Sequence, residues 1–253
     1  MAVLAAAFAA GGIDAIVGGG GLIQVPALFS ALPGALPATL LGTSKLAGLA
    51  GTASAAVRYA RRIAVPWRTI LPAMALASLA SLIGAIAVTH VSPRLFRPLV
   101  PVALLVVLGY TLAHRDLGRV HAPRTHGRRG AAAGRALIAT IGCYDGFFGP
   151  GTGSFLMLLF VRHYGFDFLN AAAAARWVNV ATNAMALAWF GSHGAVLWPL
   201  GAAMALANVA GAQLGARMAL RRGTGFVRSL FVAIVGALIA KTAWDALRLL
   251  SGG

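Results

Sequence analysis

Gly11-Gly12-Ile13-Asp14-Ala15-Ile16-Val17-Gly18-Gly19-Gly20-Gly21-Leu22-Ile23-Gln24-Val25-Pro26 is an apolar stretch with a glycine break in its middle and one acid inside it. Its counterpart lies 131 residues further on, as Gly142-Cys143-Tyr144-Asp145-Gly146-Phe147-Phe148-Gly149-Pro150-Gly151-Thr152-Gly153-Ser154. The same offset, applied without a gap, puts Phe29 on Phe160, Gly34 on Gly165, Lys45 on Arg176 and Trp67 on Trp198. It goes on to put Gly84 on Gly215, Arg97 on Arg228 and Thr111 on Thr242. The matches are mostly glycine, charge and tryptophan, which apolar drift alone would not align, so the chain reads as a duplication. Each glycine costs a helix about 1 kcal/mol relative to alanine and a mid-helix proline about 3 kcal/mol, so clusters like these end a helix. Backbone freed at membrane depth must be buried in protein or line a wet cavity. The segment resuming after the break then offers free N–H groups and a partial positive charge to an anion. The plainer role for such glycines is close helix packing through small faces. Four consecutive glycines do not share one helix face, however, and packing explains neither Pro150 nor the adjacent aspartates. A phosphate-binding loop is excluded by the missing Gly-Lys-Ser/Thr ending.

Composition sets the class. Of 253 residues, 59% are hydrophobic and only 10% charged, against roughly 25% charged in a soluble domain. There is no glutamate, and the acids are Asp14, Asp116, Asp145, Asp167 and Asp245. The net charge of +16 would suggest nucleic acid in a soluble protein. Here the arginines fall between apolar stretches, where positive charge orients membrane helices and meets anionic lipid, so the expected partner is the bilayer and not nucleic acid. The single cysteine, Cys143, excludes an intramolecular disulfide and any multi-cysteine metal site. Met1 to Ala10 superficially resembles a signal peptide, but it lacks a basic start and the residues just beyond it have repeat partners, so it reads as retained.

Eight apolar stretches can be marked, at 2–32, 37–57, 67–90, 95–113, 136–161, 168–190, 195–216 and 226–247. Most are near the ~20 residues a helix needs to cross the hydrocarbon core, and none shows barrel-strand alternation. The expected organisation is a membrane repeat over 1–113, a basic hydrophilic linker over 114–135 and a second membrane repeat over 136–253. His114, His121 and His126 of the linker lack a nearby carboxylate or thiolate cluster and read as solvated rather than metal-binding. Arg58, Arg61, Arg62 and Arg68 flank a loop of the first half whose counterpart, Gly191 to Val196, has no formal charge. The next loop has the opposite bias, with Arg94 and Arg97 against Arg217, Arg221, Arg222 and Arg228. Opposite bias at equivalent loops points to halves inserted upside down, with Arg61, Arg124 and Arg221 cytoplasmic and Pro93 and His193 outside. Inversion needs an odd number of crossings per half, which makes the glycine-broken first stretch the non-crossing one. Eight plain crossings with parallel repeats are the alternative. The fold class is therefore all-α, a polytopic integral membrane helical bundle of two homologous, inverted repeats with glycine-broken first helices.

Lys45 and Arg176 lie seven or eight residues inside the second stretch of each half, near mid-depth of a ~30 Å core at 1.5 Å per residue. An intramembrane cation is costly enough that it faces a cavity or a partner, unless its long stem snorkels to the interface. Arg176, Asn179 and Asn183 share one helix face with Thr182 beside them; the first-half counterparts are Lys45, Gly48 and Thr52, preceded by Thr43 and Ser44. Asp14 and Asp145 are counter-ions to these cations, caps on the broken helices, or proton-titrating groups that couple transport to a proton gradient. The expected substrate-binding set is Lys45, Arg176, Thr43, Ser44, Asn179 and Asn183 with the breaks' Gly18, Gly19, Gly20, Gly21, Gly149, Gly151, Thr152, Gly153 and Ser154. No cofactor and no metal is expected.

The Ile13-Asp14 to Pro26 run, Thr43-Ser44-Lys45, the Tyr144-Asp145-Gly146-Phe147-Phe148-Gly149-Pro150 run and the Arg176 to Asn183 helix closely resemble the sulfite exporter TauE/SafE family of membrane transporters, YfcA-type members in particular. The resemblance spans about residues 8 to 247. It implies a polytopic inner-membrane exporter of small sulfur-containing anions such as sulfite or organosulfonates. Arg176 stands where YfcA-type members tend to have lysine, and Ser44 where they tend to have asparagine. Arginine keeps the charge but presents a planar, forked donor set, so substrate preference can differ. The rival readings are a membrane-embedded sulfur-handling enzyme and a non-transporting scaffold subunit. The first lacks a nucleophile–base pair or metal cluster, Cys143 reading as a buried inert thiol, and the second leaves Lys45 and Arg176 unexplained.

Overall fold

A computed structural model describes residues 1–91, 122–124 and 127–251. Every regular element among them is a helix: α1 (Ala2–Val17), α2 (Gly21–Ala31), α3 (Pro37–Ala60), α4 (Trp67–Thr89), α5 (Arg128–Phe147), α6 (Thr152–Arg162), α7 (Phe168–Ser192) and α8 (Trp198–Ser251). The apolar stretch expected over 95–113 and the histidines His114, His121 and His126 lie outside the described residues. Two differences from the sequence reading are physical. The helix expected from 136 already begins at Arg128, because Arg128 to Arg135 contains no helix breaker except two glycines. The stretches at 195–216 and 226–247 are two helical segments that abut with no loop between them, broken at Gly223, where φ is 75° and ψ −171°.

The glycine breaks reverse the chain. A Cβ at Gly20 would lie 2.5 Å from the Ala10 carbonyl oxygen and 2.7 Å from Asp14 Cβ, so α2 starts back alongside α1. Further along, Leu28 and Leu32 of the α2 arm pack with Val3, Leu4 and Ala7 of α1. In the second half, a Cβ at Gly134 near the start of α5 would lie 2.7 Å from His163 just after α6. Both first stretches are thus helical hairpins, each with a glycine-rich tip.

The open ends of the two hairpins lie at opposite ends of the bundle. That of α1–α2 packs with Leu40 near the start of α3 and with Leu200 and Met204 near the start of α8. That of α5–α6 is joined by residues 122–124, whose Ala122 and Arg124 N–H groups donate to the Gly165 and Tyr164 carbonyls at 2.9 and 3.0 Å. A small cavity there is walled by Ala64 and Pro66 from the α3–α4 loop together with Tyr164 and Phe166.

Helix crossings recur under the 131-residue offset with the halves exchanged. A Cβ at Gly11 on α1 would strike the Asn208 backbone on α8, and one at Gly142 on α5 would strike Ala77 on α4. Likewise Gly215 abuts Gly12, and Gly84 abuts Cys143. Small residues let the backbones touch at these crossings, the packing mode open to helices that gain little from hydrophobic burial. The outward side chains are apolar, with Leu79 and Ile83 of α4 and Leu206 and Leu214 of α8 all exposed. α4 is, among the described residues, the one helix long and apolar enough by length and composition to cross a membrane. α3 and α7 have the length, but Thr43, Ser44 and Lys45 interrupt the first and Arg176, Asn179 and Asn183 the second.

Candidate functional site

α1 stops where Gly18 turns left-handed at φ 78°, and α5 stops just before Gly149 does the same at φ 92°. Only glycine enters that region without strain. The two tips then meet backbone to backbone. The Ser154 N–H donates to the Gly18 carbonyl at 3.1 Å, and the Ser154 hydroxyl donates to the Val17 carbonyl at 2.8 Å. A Cβ at Gly153 would sit 2.5 Å from Gly18 Cα, and one at Gly21 would sit 2.9 Å from Pro150 Cα.

Each cation stands at the tip of the other half's hairpin. Lys45 Nζ on α3 lies 2.7 Å from Asp145 Oδ2 near the end of α5, with both side chains buried. Arg176 on α7 donates to the Asp14 carbonyl in the last turn of α1 and to the Ala172 carbonyl at 2.5 Å. Its guanidinium lies over the Tyr59 ring at 5.1 Å, within reach of a cation–π contact. A cation at a helix C-terminus also complements the helix dipole. Under the 131-residue offset, the Lys45–Asp145 contact becomes the Arg176–Asp14 contact. The pairing therefore runs across the halves, and the partner of Lys45 is Asp145 rather than Asp14 of its own half.

Between the tips lies a cavity of about 50 Å³, walled by all the elements just described together with Asn179 and Asn183 of α7 and Asn208 of α8. Its polar groups are tied to one another. Asp14 accepts from the Thr52 hydroxyl at 3.0 Å and from the Gly20 N–H at 3.4 Å. Gln24 Nε2 donates to the Ser44 carbonyl and hydroxyl, both at 2.9 Å, and Asn208 donates to Gln24 Oε1 at 2.8 Å. Asn183 donates to Asn179 Oδ1 at 3.1 Å. One ammonium, several amides and two helix starts thus converge on a space for a few-atom solute. Among the described residues, no group of three or more His, Cys, Asp or Glu side chains is placed to hold a metal.

Residues 3–242 match the family model described as Sulfite exporter TauE/SafE. The chain belongs to that family. It is 39% identical over 241 residues to a probable membrane transporter protein, ORF9, of a Sinorhizobium species, covering 95% of this chain and 90% of the relative. It is 35% identical over 238 residues to a probable membrane transporter protein of Haemophilus influenzae, covering 94% and 92%. It is likewise 35% identical over 242 residues to the probable membrane transporter protein YfcA of Escherichia coli K12, covering 95% and 88%. No solved structure matches. The outward apolar side chains agree with membrane membership.

In this TauE/SafE member, the expected binding residues divide into two groups. Gly18, Gly20, Gly21, Ser44, Lys45, Gly149, Gly151, Gly153, Asn179 and Asn183 line the cavity, with Asp14 and Asp145. Gly19, Thr43, Thr152, Ser154 and Arg176 do not. The Thr43 hydroxyl donates to the Thr39 carbonyl at 2.7 Å and accepts from the Leu197 N–H at 2.9 Å, which holds the entry of α8. The Thr152 hydroxyl donates to the Gly149 carbonyl at 2.8 Å and closes its own tip. Gly19 faces Leu22 and Ile13. Sequence reasoning passed over Gln24 and Asn208, both buried in the cavity wall. Their signal was an amide side chain within an apolar stretch, which at membrane depth marks a partner or a site.

Proposed function

We propose that this TauE/SafE-family protein is a secondary transporter, not an enzyme, with the cavity between the hairpin tips as its substrate site. The cargo is a small sulfur-containing anion such as sulfite or an organosulfonate, and export is the direction given by the family's description. Residues 1–113 and 136–253 form two inverted membrane repeats in a multi-pass protein of the bacterial inner membrane, joined by the 114–135 linker. Supporting this topology, the open ends of the hairpins lie at opposite ends of the bundle and the arginine-bearing loops at 61–62 and 124 lie at one end. A hairpin that leaves on its side of entry does not cross, which gives the odd crossing number that inversion requires.

The observation that carries the proposal is Lys45: a buried ammonium on the cavity wall, held by a single carboxylate at 2.7 Å. A substrate oxyanion takes the place of Asp145 beside it. Charge then has to balance. Lys45 and Arg176 against Asp14 and Asp145 sum to zero in the unloaded site, so a monoanion entering alone leaves one uncompensated buried charge. Protonation of a displaced carboxylate removes it, and anion and proton move together in the direction their summed gradients favour. Arg176 holds the wall from behind.

The test is gradient-driven flux of sulfite and of a sulfonate in proteoliposomes, with proton movement followed by a trapped pH dye. Wild type is expected to move both. A Lys45→Met, Asp145→Asn double variant leaves no unpaired buried charge and is expected to fold but to carry nothing. Wild-type flux by that folded double variant would refute the site.

A further inference from the structure

A second cavity, of about 1100 Å³, opens between the C-terminal turns of α3, the loop that follows and the middle of α8. Arg58, Arg61, Arg62, Arg217 and Arg221 line it, and no acidic side chain does. None of the five forms an ion pair among the described residues. At the inner end, Arg58 Nε donates to Gln213 Oε1, and Gln213 Nε2 donates to the Ser54 carbonyl at 3.2 Å, so one guanidinium is held in place. Val57, Ile63, Leu169 and Leu220 supply apolar wall between the charges.

The duplicated fold contains its own control. Under the 131-residue offset, the counterparts of Arg58, Arg61 and Arg62 are Trp189, Ser192 and His193, and those of Arg217 and Arg221 are Ile86 and His90. The equivalent positions on α7, on α4 and just beyond each thus carry no arginine, and helix assembly does not need these five. A preference for positive charge on one membrane side explains their sign. It does not explain their gathering in one concavity with a pinned member, where like charges repel unless an anion joins them. Arg58 lies 13 residues beyond Lys45 on α3, about 20 Å along the axis and so at the edge of a ~30 Å core. That is the level of lipid phosphates, and guanidinium forks match phosphate oxygens in pairs.

We propose that this basin is a binding site for a phosphate-type oxyanion of two or more negative charges, separate from the substrate cavity. The ligand chemistry is shared by an anionic phospholipid headgroup and by free inorganic phosphate.

The experiment uses the purified full-length protein in a neutral detergent, titrated with a diphosphatidylglycerol lipid, with phosphatidylcholine or with inorganic phosphate, and reads the unfolding midpoint. Stabilisation by the diphosphatidyl lipid alone assigns the bilayer as the source; stabilisation by inorganic phosphate at comparable concentration assigns a soluble ligand. An Arg61→Gln, Arg62→Gln, Arg221→Gln variant is expected to weaken the response about a hundred-fold, at roughly fivefold per basic group. The matching triple lysine variant keeps the charge without the forks and is expected to recover only part of it. Arg221→Gln alone, expected to cost about fivefold, covers failure of the triple variant to fold. Sulfite flux in neutral-lipid proteoliposomes stays at the wild-type level in all three, since these arginines stand outside the substrate site. No stabilisation by any addition, an equal response in wild type and the triple glutamine variant, or a lysine variant equal to wild type overturns the built site.

Discussion

Lys45 and Arg176 occupy equivalent positions in the two halves, and each reaches across to the hairpin of the other half, yet only Lys45 faces the cavity. The difference follows from the side chains and their neighbours. An ammonium is a compact point charge on a flexible stem, able to exchange one carboxylate for another anion. A guanidinium is a planar fork, suited to staying where several acceptors are fixed. Arg176 has such acceptors in the Asp14 and Ala172 carbonyls, with the Tyr59 ring against its face. One turn beyond Lys45 the helix has Gly48 and one turn beyond Arg176 it has Asn179, and both line the cavity. Under the proposed function, the position shared by the two halves thus serves as wall in one and as site in the other.

The sharpest break would come from Arg176→Met. It leaves the end of α1 and the Asp14 carboxylate without their cation, and the expected loss is about 3–5 kcal/mol of stability. Unfolding temperature and monodisperse yield in detergent read this directly; a normally folded Arg176→Met protein that had only lost anion binding would return Arg176 to the substrate site. Next in size is Lys45→Met, where Asp145 is left charged and buried. Adding Asp145→Asn should restore the folded yield and Asp14→Asn should not, which tests the cross-half pairing by the same two measurements. Lys45→Arg keeps the charge while importing the fork, and anion affinity measured by calorimetry is expected to fall about tenfold, ~1.4 kcal/mol. The smallest effect belongs to Asn183→Ala, which removes one neutral donor from the wall. About 1 kcal/mol, or roughly fivefold in affinity, is the expected size, and an unchanged affinity would take Asn183 off the solute's path.

Much of this comparison was readable in the residues. The 131-residue offset located both cations, both aspartates and both breaks, because glycine and charge are conspicuous in an apolar chain. Chain reversal at the breaks was less visible: Gly18 and Gly149 permit a left-handed turn, but only their neighbours show that α2 and α6 fold back. The orientation of Arg176 was not readable, since helix periodicity fixes a face and not which of two neighbouring helices a long side chain reaches. Gln24 and Asn208 escaped because neither has a polar counterpart: the matching residues are Phe155 and Ala77. A search for repeated features cannot find what the repeat does not share.

The exchanged contacts, Gly11 on Asn208 with Gly142 on Ala77, and Lys45 on Asp145 with Arg176 on Asp14, have the form of an isologous interface, in which residue i meets j and j meets i. Two separate identical subunits would hold such an interface under a constraint, because any substitution appears twice, once in each partner. Placing both copies on one polypeptide lifts it. Asn208 and Gln24 can line the proposed binding space while their counterparts, Ala77 and Phe155, stay off its wall, and a cation can be fixed in one copy while staying exchangeable in the other. The lopsided polarity of the cavity is thus something that a self-paired subunit has no means of encoding.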